Sequence, residues 1–334
     1  MSQGLSYRIL EPVWLNEQGI RDYSEDYIYP DQKAGISDQV RQFLVCDGVG
    51  GSTRGDQASK FVCSMFPVKV NDKLEQAIDS DFIPQNQERL LNKALYEVEM
   101  DMDAFSEQHP AYRGMATTLT YLNLSKNGAV VAWAGDSRVY QIRNGQVKQR
   151  TSDHSLVNEL IKRGEITEEQ ARTHPRKNVI LRAISGSSSA TKLDVDIWQD
   201  VQKGDVFFLC TDGILEAFES DHQLAELLSS GMTLDMIRDR IDALCKEHSR
   251  DNYSMYLIKV QDVEGQPLIP IQSKTKQVAS AGSTTIIATE ATKSATSPVE
   301  IEEEAFEDVR HEEGKHPSTV PPKPEKEGGI PKRY

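Results

Sequence analysis

Six acidic side chains, set at the edges of short apolar runs, constrain this chain more than anything else in it. Asp47 ends QFLVCD and opens DGVGGSTRGDQAS, Asp212 follows VFFLC in LCTDGILEAF, and Asp136 lies in AGDSRVY. Glu25 and Asp26 close RDYSED, and Asp251 lies in SRDNYS. Most of them follow an apolar run, so they stand where a buried strand ends. A buried carboxylate is costly unless something neutralises it. Several converging on one cleft call for a hard divalent cation, and for more than one. The fold must therefore bring the ends of separate strands to one place.

The hydrophobic pattern supplies those strands. Residues 42–46 form a short apolar run, and 118–124 alternate as TLTYLNL, with Leu119, Tyr121 and Asn123 on one face. Residues 129–134 and 139–142 flank the GDSR turn and read as a hairpin, and Asn144-Gly145 marks the next tight turn. Residues 206–210 are wholly apolar, which suits a strand buried on both faces, and 253–260 read as a terminal strand. Helical spacing is clearest over residues 56–66, 87–105 and 234–245. The stripe Leu90, Leu91, Ala94, Leu95, Val98, Met102 and Phe105 reads as core. These elements suit an α+β domain with helices outside sheets. Periodicity alone does not separate that arrangement from other α+β folds.

Composition excludes several roles. The 334 residues carry 52 acidic against 38 basic side chains, a formal charge of −14. Nucleic-acid binding by phosphate neutralisation and a polybasic membrane anchor both need the opposite balance. No apolar run approaches the roughly 20 residues that span a bilayer, and the first residues lack the basic-then-apolar order of a signal peptide. A cytoplasmic location is expected. Cys46, Cys63, Cys210 and Cys245 form no CxxC pair and read as buried thiols. Beyond residue 262 the chain turns rich in Ser, Thr, Glu, Lys and Pro, which suits a disordered tail over 263–334, including the acidic stretch 300–308. GVGGSTRG lacks the GK[ST] ending of a nucleotide-phosphate loop.

The motifs together resemble the metal-dependent Ser/Thr protein phosphatases of the PPM (type 2C) family, in their compact bacterial form. Arg21 with Glu25 and Asp26, Asp47-Gly48 with Gly50-Gly51, Ala116-Thr117-Thr118, Gly135-Asp136-Ser137-Arg138, Thr211-Asp212-Gly213 and Asp251-Asn252 occur in that family's order. The resemblance implies two antiparallel β-sheets packed as a central sandwich flanked by helices, in a catalytic domain over residues 1–262. It makes residues 152–186 a variable flap beside the site.

The resemblance also implies two Mg2+ or Mn2+ ions. Asp47 would bridge them. Asp212 and Asp251 would complete the shell of the first ion, the Gly48 carbonyl and Glu25, through waters, would serve the second ion, and Asp26 would orient a water. Arg21 would grip the substrate phosphate, for which a guanidinium is suited. A third, weaker ion would use Asp136 and Glu216, where Asp is the commoner residue; the alternative is that Asp136 caps its turn and pairs with Arg138. No candidate ligand is His or Cys, which favours Mg2+ or Mn2+ over Zn2+. Val49 stands where some relatives carry a His proposed as general acid, so no general acid is identified. His154 is expected to position the flap.

The implied activity is hydrolysis of phosphoserine and phosphothreonine by a metal-activated water. The implied partners are phosphorylated proteins, including a Ser/Thr kinase and its substrates, with the enzyme a monomer. Two rivals remain open: a phosphatase-like scaffold without catalysis, and a two-metal phosphodiesterase or nuclease. Retention of Asp47, Asp212 and Asp251 argues against the first. The acidic charge argues against the second.

Overall fold

The computed structural model describes residues 4–30, 40–49, 54–78, 82–189 and 191–269. Among them, eleven strands form two antiparallel sheets. The first holds β1 (Ser6–Ile9), β2 (Val13–Glu17), β7 (Arg138–Arg143), β8 (Gln146–Arg150), β10 (Val206–Cys210) and β11 (Tyr253–Glu264), in the order β1-β11-β10-β7-β8 with β2 also on β11. The second runs β3 (Asp26–Tyr29), β4 (Gln42–Asp47), β5 (Leu119–Ser125), β6 (Gly128–Ala134) and β9 (Asp194–Trp198).

Period-two alternation sends side chains into three buried layers. Between the sheets lie Phe43 and Val45 of β4, Leu122 and Leu124 of β5, Phe207 and Leu209 of β10, and Tyr256 and Ile258 of β11. The opposite face of the second sheet, with Leu44, Cys46, Leu119 and Tyr121, packs on helices α1 (Gly55–Leu74) and α2 (Pro84–Gln108). The opposite face of the first, with Tyr140, Phe208, Cys210 and Leu257, is covered by α5 (Asp212–Leu215), α6 (Asp221–Leu228) and α7 (Leu234–His248). Both faces of each sheet are therefore covered, and β4 and β10 read as continuous apolar runs rather than alternating ones. Each large side chain so buried contributes about 1.5–3 kcal/mol. The four cysteines are buried and unpaired, as expected.

The expected hairpin over residues 129–142 does not form. β6 pairs with β5 and β9, whereas β7 pairs with β10 and β8. The chain leaves one sheet at Gly135 (φ 111°) and enters the other at Arg138. Two apolar runs joined by a tight turn look the same in sequence whether the chain reverses within a sheet or crosses between sheets. The crossing is crowded: a Cβ on Gly135 would lie 2.5 Å from Thr118 Cγ2. The Asn144-Gly145 turn does close a hairpin, with both residues at positive φ (52° and 73°) between β7 and β8.

The segment after β8 carries α3 (Leu156–Lys162) and α4 (Glu168–Arg172), capped by Ser155 and by a Thr167/Gln170 capping box. Its two ends meet where Leu156 N–H donates to Val179 O (2.9 Å) and Leu181 N–H to His154 O (2.7 Å). β11 continues to Glu264, and Ile269 still bonds Asn127 and Gln199. The disordered tail expected from residue 263 lies outside the described residues from 270 onward, and Gly50 and Gly51 also lie outside them.

Candidate metal centre

Antiparallel pairing turns strand starts and strand ends into neighbours at one edge. Asp26, at the start of β3, is the cross-strand partner of Asp47, at the end of β4. Asp212 follows β10 as the first residue of α5, Asp136 follows β6, and Asp251 precedes β11. Asp26 and Asp136 are buried, and the other three are half-buried.

The backbone at Asp47 is held from both sides. Thr118 N–H and Thr117 Oγ1 both donate to Asp47 O (2.8 Å each), and Asp47 N–H donates to Thr118 Oγ1 (3.0 Å). Thr118 Oγ1 also bonds Ser137 Oγ (2.8 Å), which ties this turn to the one bearing Asp136. The Ala-Thr-Thr motif thus acts as a clamp. Gly48 is hemmed in, because a Cβ there would lie 2.4 Å from the Gly55 carbonyl carbon and 2.8 Å from Glu25 O. Its lack of a side chain admits the start of α1. Thr211 Oγ1 donates to Asp26 Oδ2 (3.0 Å) and accepts from Ser254 N–H (3.0 Å).

Electrostatics show that the carboxylates feel one another. Burial, then the charges of Asp26, Asp212, Asp136 and Asp251, push Asp47 well above the usual carboxylate range. Burial first pushes Asp26 up to about 7 and Asp212 up to about 6, and it also raises Asp136 and Glu25. Asp136 Oδ1 is buried without a hydrogen-bond partner. The alternative pairing with Arg138 is not seen: that guanidinium engages Asp153 (2.6 Å), Asp221 (3.4 Å) and Tyr140 (3.0 Å). An orphaned oxygen among mutually repelling carboxylates fits hard cations. Among the described residues, no three His, Cys, Asp or Glu side chains close on one point as a ready cage. The set suits an ion that keeps water and backbone ligands, as Mg2+ does.

Two basic side chains, Arg21 and Lys177, border the centre. Arg21 Nη2 bonds Asp251 Oδ2 (2.5 Å) and its Nε donates to Arg250 O (3.1 Å). Glu216 accepts from Lys177 Nζ (3.3 Å) and from Arg250 N–H (2.8 Å). Lys177 comes from the segment 155–180, which walls a cleft of about 720 Å³ together with α5 and α6. Its role was not read from sequence; the basic pair in HPRKN, in an acidic chain, was the available signal. Asn252 is likewise more than a motif partner. It accepts from Glu25 N–H (2.9 Å) and donates to Gln18 O (2.7 Å) and Tyr23 O (3.0 Å), fixing the loop that carries Arg21 and Glu25. His154 Nδ1 accepts from Gly135 N–H (3.2 Å) and Nε2 meets Asp194 Oδ2 (3.2 Å), so the ring joins the 155–180 segment to the Asp136 turn.

The sequence pattern described as "Protein phosphatase 2C" matches residues 23–244. The chain belongs to the protein phosphatase 2C family. Members of this family are metal-dependent protein phosphatases of the Ser/Thr class, and the chain is one of them. The protein phosphatase PhpP of Streptococcus pneumoniae is 30% identical over 262 residues, which cover 77% of this chain and 98% of PhpP. The crystal structure of serine/threonine phosphatase Stp1 from Staphylococcus aureus superposes with a TM-score of 0.63 at 29% identity, over 78% of this chain and 97% of Stp1. The catalytic domain of the phosphatase PstP, solved with 2 manganese ions, gives 0.58 at 25% identity over 77% of this chain and all of that one. The two-sheet sandwich is thus the fold of a 2C phosphatase. Among the described residues no helix is long and apolar enough to cross a membrane.

Proposed function

We propose that this 2C phosphatase hydrolyses phosphoserine and phosphothreonine at a binuclear Mg2+ or Mn2+ centre built on Asp47, and that it opposes a cytoplasmic Ser/Thr kinase. The observation that carries the reading is the gathering of Asp26, Asp47, Asp136, Asp212 and Asp251, whose mutual repulsion a pair of cations relieves. The manganese pair in PstP supports the ion count.

Asp47 would bridge the ions, with its backbone locked by Thr117 and Thr118. Asp212 and Asp251 would hold the first, and the Gly48 carbonyl with Glu25 the second. Held there, two such ions would supply activation of a water for attack and would neutralise charge on the phosphoryl oxygens. Asp26, held by Thr211, orients a water beside Asp47. Arg21 exchanges its bond to Asp251 for the substrate phosphate, presenting a fork that matches two phosphate oxygens. Asp136, with its free oxygen, and Glu216 would hold a third, weaker ion, for which Lys177 competes at Glu216.

The test is phosphate release from a phosphothreonine peptide with Mn2+, Mg2+ or EDTA, comparing the unaltered chain with Asp212→Asn. Release that requires metal and is abolished by a folded Asp212→Asn variant is expected. Full activity of that variant in metal-replete buffer would overturn the assignment.

A further inference from the structure

We propose that the loop over residues 19–24 reads the polypeptide flanking the phosphorylated residue, with Ile20 and Tyr23 as apolar anchors. The proposal stands on the phosphatase reading above and deepens it, naming as preferred substrates phosphorylated segments with apolar side chains close to the phosphoresidue.

The loop is held in one shape. Gln18 Nε2 donates to Arg21 O (2.7 Å), and Asn252 Nδ2 donates to both Gln18 O and Tyr23 O. Gly19 has φ 62°, and a Cβ there would lie 2.5 Å from Asp251 O, so the loop backs directly onto the strand lead-in that carries Asp251. From this pinned backbone Arg21 bonds Asp251 and Arg250. Its neighbours do the reverse: Ile20 is 62% exposed and Tyr23 61% exposed.

A single exposed apolar residue needs no explanation. Two large ones in a four-residue stretch, on a backbone fixed by side-chain hydrogen bonds and flanking the phosphate-gripping arginine, form a built surface. Consecutive Cα atoms are about 3.8 Å apart. A phosphoresidue held at Arg21 therefore brings the one to three residues beside it within reach of Ile20 and Tyr23. A tyrosine offers a large rigid contact at low entropic cost, and the loop loses little freedom on binding because it is already ordered. The cleft under residues 155–178 is different in character. Its walls carry paired charges, Arg138 with Asp153 and Arg150 with Asp221.

The experiment compares two phosphothreonine peptides of equal charge, one with Leu and Phe within three residues of the phosphothreonine and one with Ser and Gly there, using the full chain with Mn2+. The unaltered enzyme is expected to favour the apolar-flanked peptide by roughly tenfold in kcat/KM. The Ile20→Ser/Tyr23→Ser double variant is expected to lose that preference, chiefly through KM, while its rate on the polar-flanked peptide stays within about twofold. Both positions are surface sites, so circular dichroism and the melting temperature should match the parent. Equal use of the two peptides by the unaltered enzyme, or an undiminished preference in the double variant, would overturn the proposal. Failure of the unaltered enzyme to release phosphate from either peptide would bring down the phosphatase reading, and the proposal with it.

Discussion

Replacing Asp26 by asparagine should separate the stability of this fold from its chemistry. Asp26 is 5% exposed, and burial, followed by the charges of Asp212 and Asp251 against hydrogen bonds from Ser254 and Thr211, lifts its carboxyl from 3.8 to about 7. Between those two values the folded chain holds a proton that the unfolded chain has released. Without metal, the contribution of Asp26 to stability therefore falls as pH rises from about 4 to about 7, and stays lost above that. A displacement of about 3 pH units corresponds to roughly 4 kcal/mol at pH 8. Asparagine removes that cost and can still accept from Thr211 through its carbonyl, although a bond to a neutral acceptor is weaker. A net gain of about 2 kcal/mol is expected, or roughly 4–8 °C in melting temperature for a domain of this size. The assay is thermal unfolding of parent and Asp26→Asn in EDTA at pH 8 and pH 5, then with Mg2+. The gain should shrink at pH 5, where the parent carboxyl is protonated, and shrink again with Mg2+, which favours the carboxylate. Turnover should drop despite the added stability. A variant less stable than the parent in EDTA at pH 8, or equally stabilised at both pH values, would refute the reasoning.

Three further outcomes follow from the geometry. Gly48→Ala should cost about 1–3 kcal/mol and most of the activity, since its Cβ has no room between Gly55 and Glu25; denaturant titration and phosphate release check both. Ending the chain at residue 262 removes Val263 and Glu264, the partners of Tyr7 and Ser6, and the bonds made by Ile269; a loss of about 2 kcal/mol is expected, whereas a chain ending at 269 should unfold like the parent. Burial holds His154 below its ordinary value against the opposing pull of Asp194, with Arg182 and Lys162 also lowering it. Its unfolded form takes up a proton first as pH falls, so its contribution is complete above about 6.5 and is lost below. With Mg2+ present, the stability difference between the parent and His154→Asn should therefore narrow from pH 7.5 to pH 5.5, and a widening difference would contradict this.

The carboxylates that gather at the centre were legible because they are written in residue type. Asp47, Asp212 and Asp136 follow apolar runs, and only oxygen donors recur in the motifs. Strands β4 and β10 and the stripes of α1, α2 and α7 were equally legible, since burial on a periodic element leaves its period in the sequence. The short strands β1, β2 and β3 were not read. Four or five residues carry too little period, and β1 and β2 gain their partners only when β11, more than 200 positions away, folds beside them.

The turn at Gly135 marks the boundary most clearly. Sequence alone determined that two apolar strands meet there and that Asp136 stands between them. Tertiary structure decided that the chain crosses from one sheet to the other, because Thr118 occupies the space behind Gly135 and Ser137 bonds Thr118 across the gap. The same holds for the centre as a whole. The sequence determined which carboxylates exist and that they must be neutralised. Their convergence, with Asp26 facing Asp47 and Arg21 reaching Asp251, depends on antiparallel pairing between segments far apart in the chain, and no local signal carries that pairing.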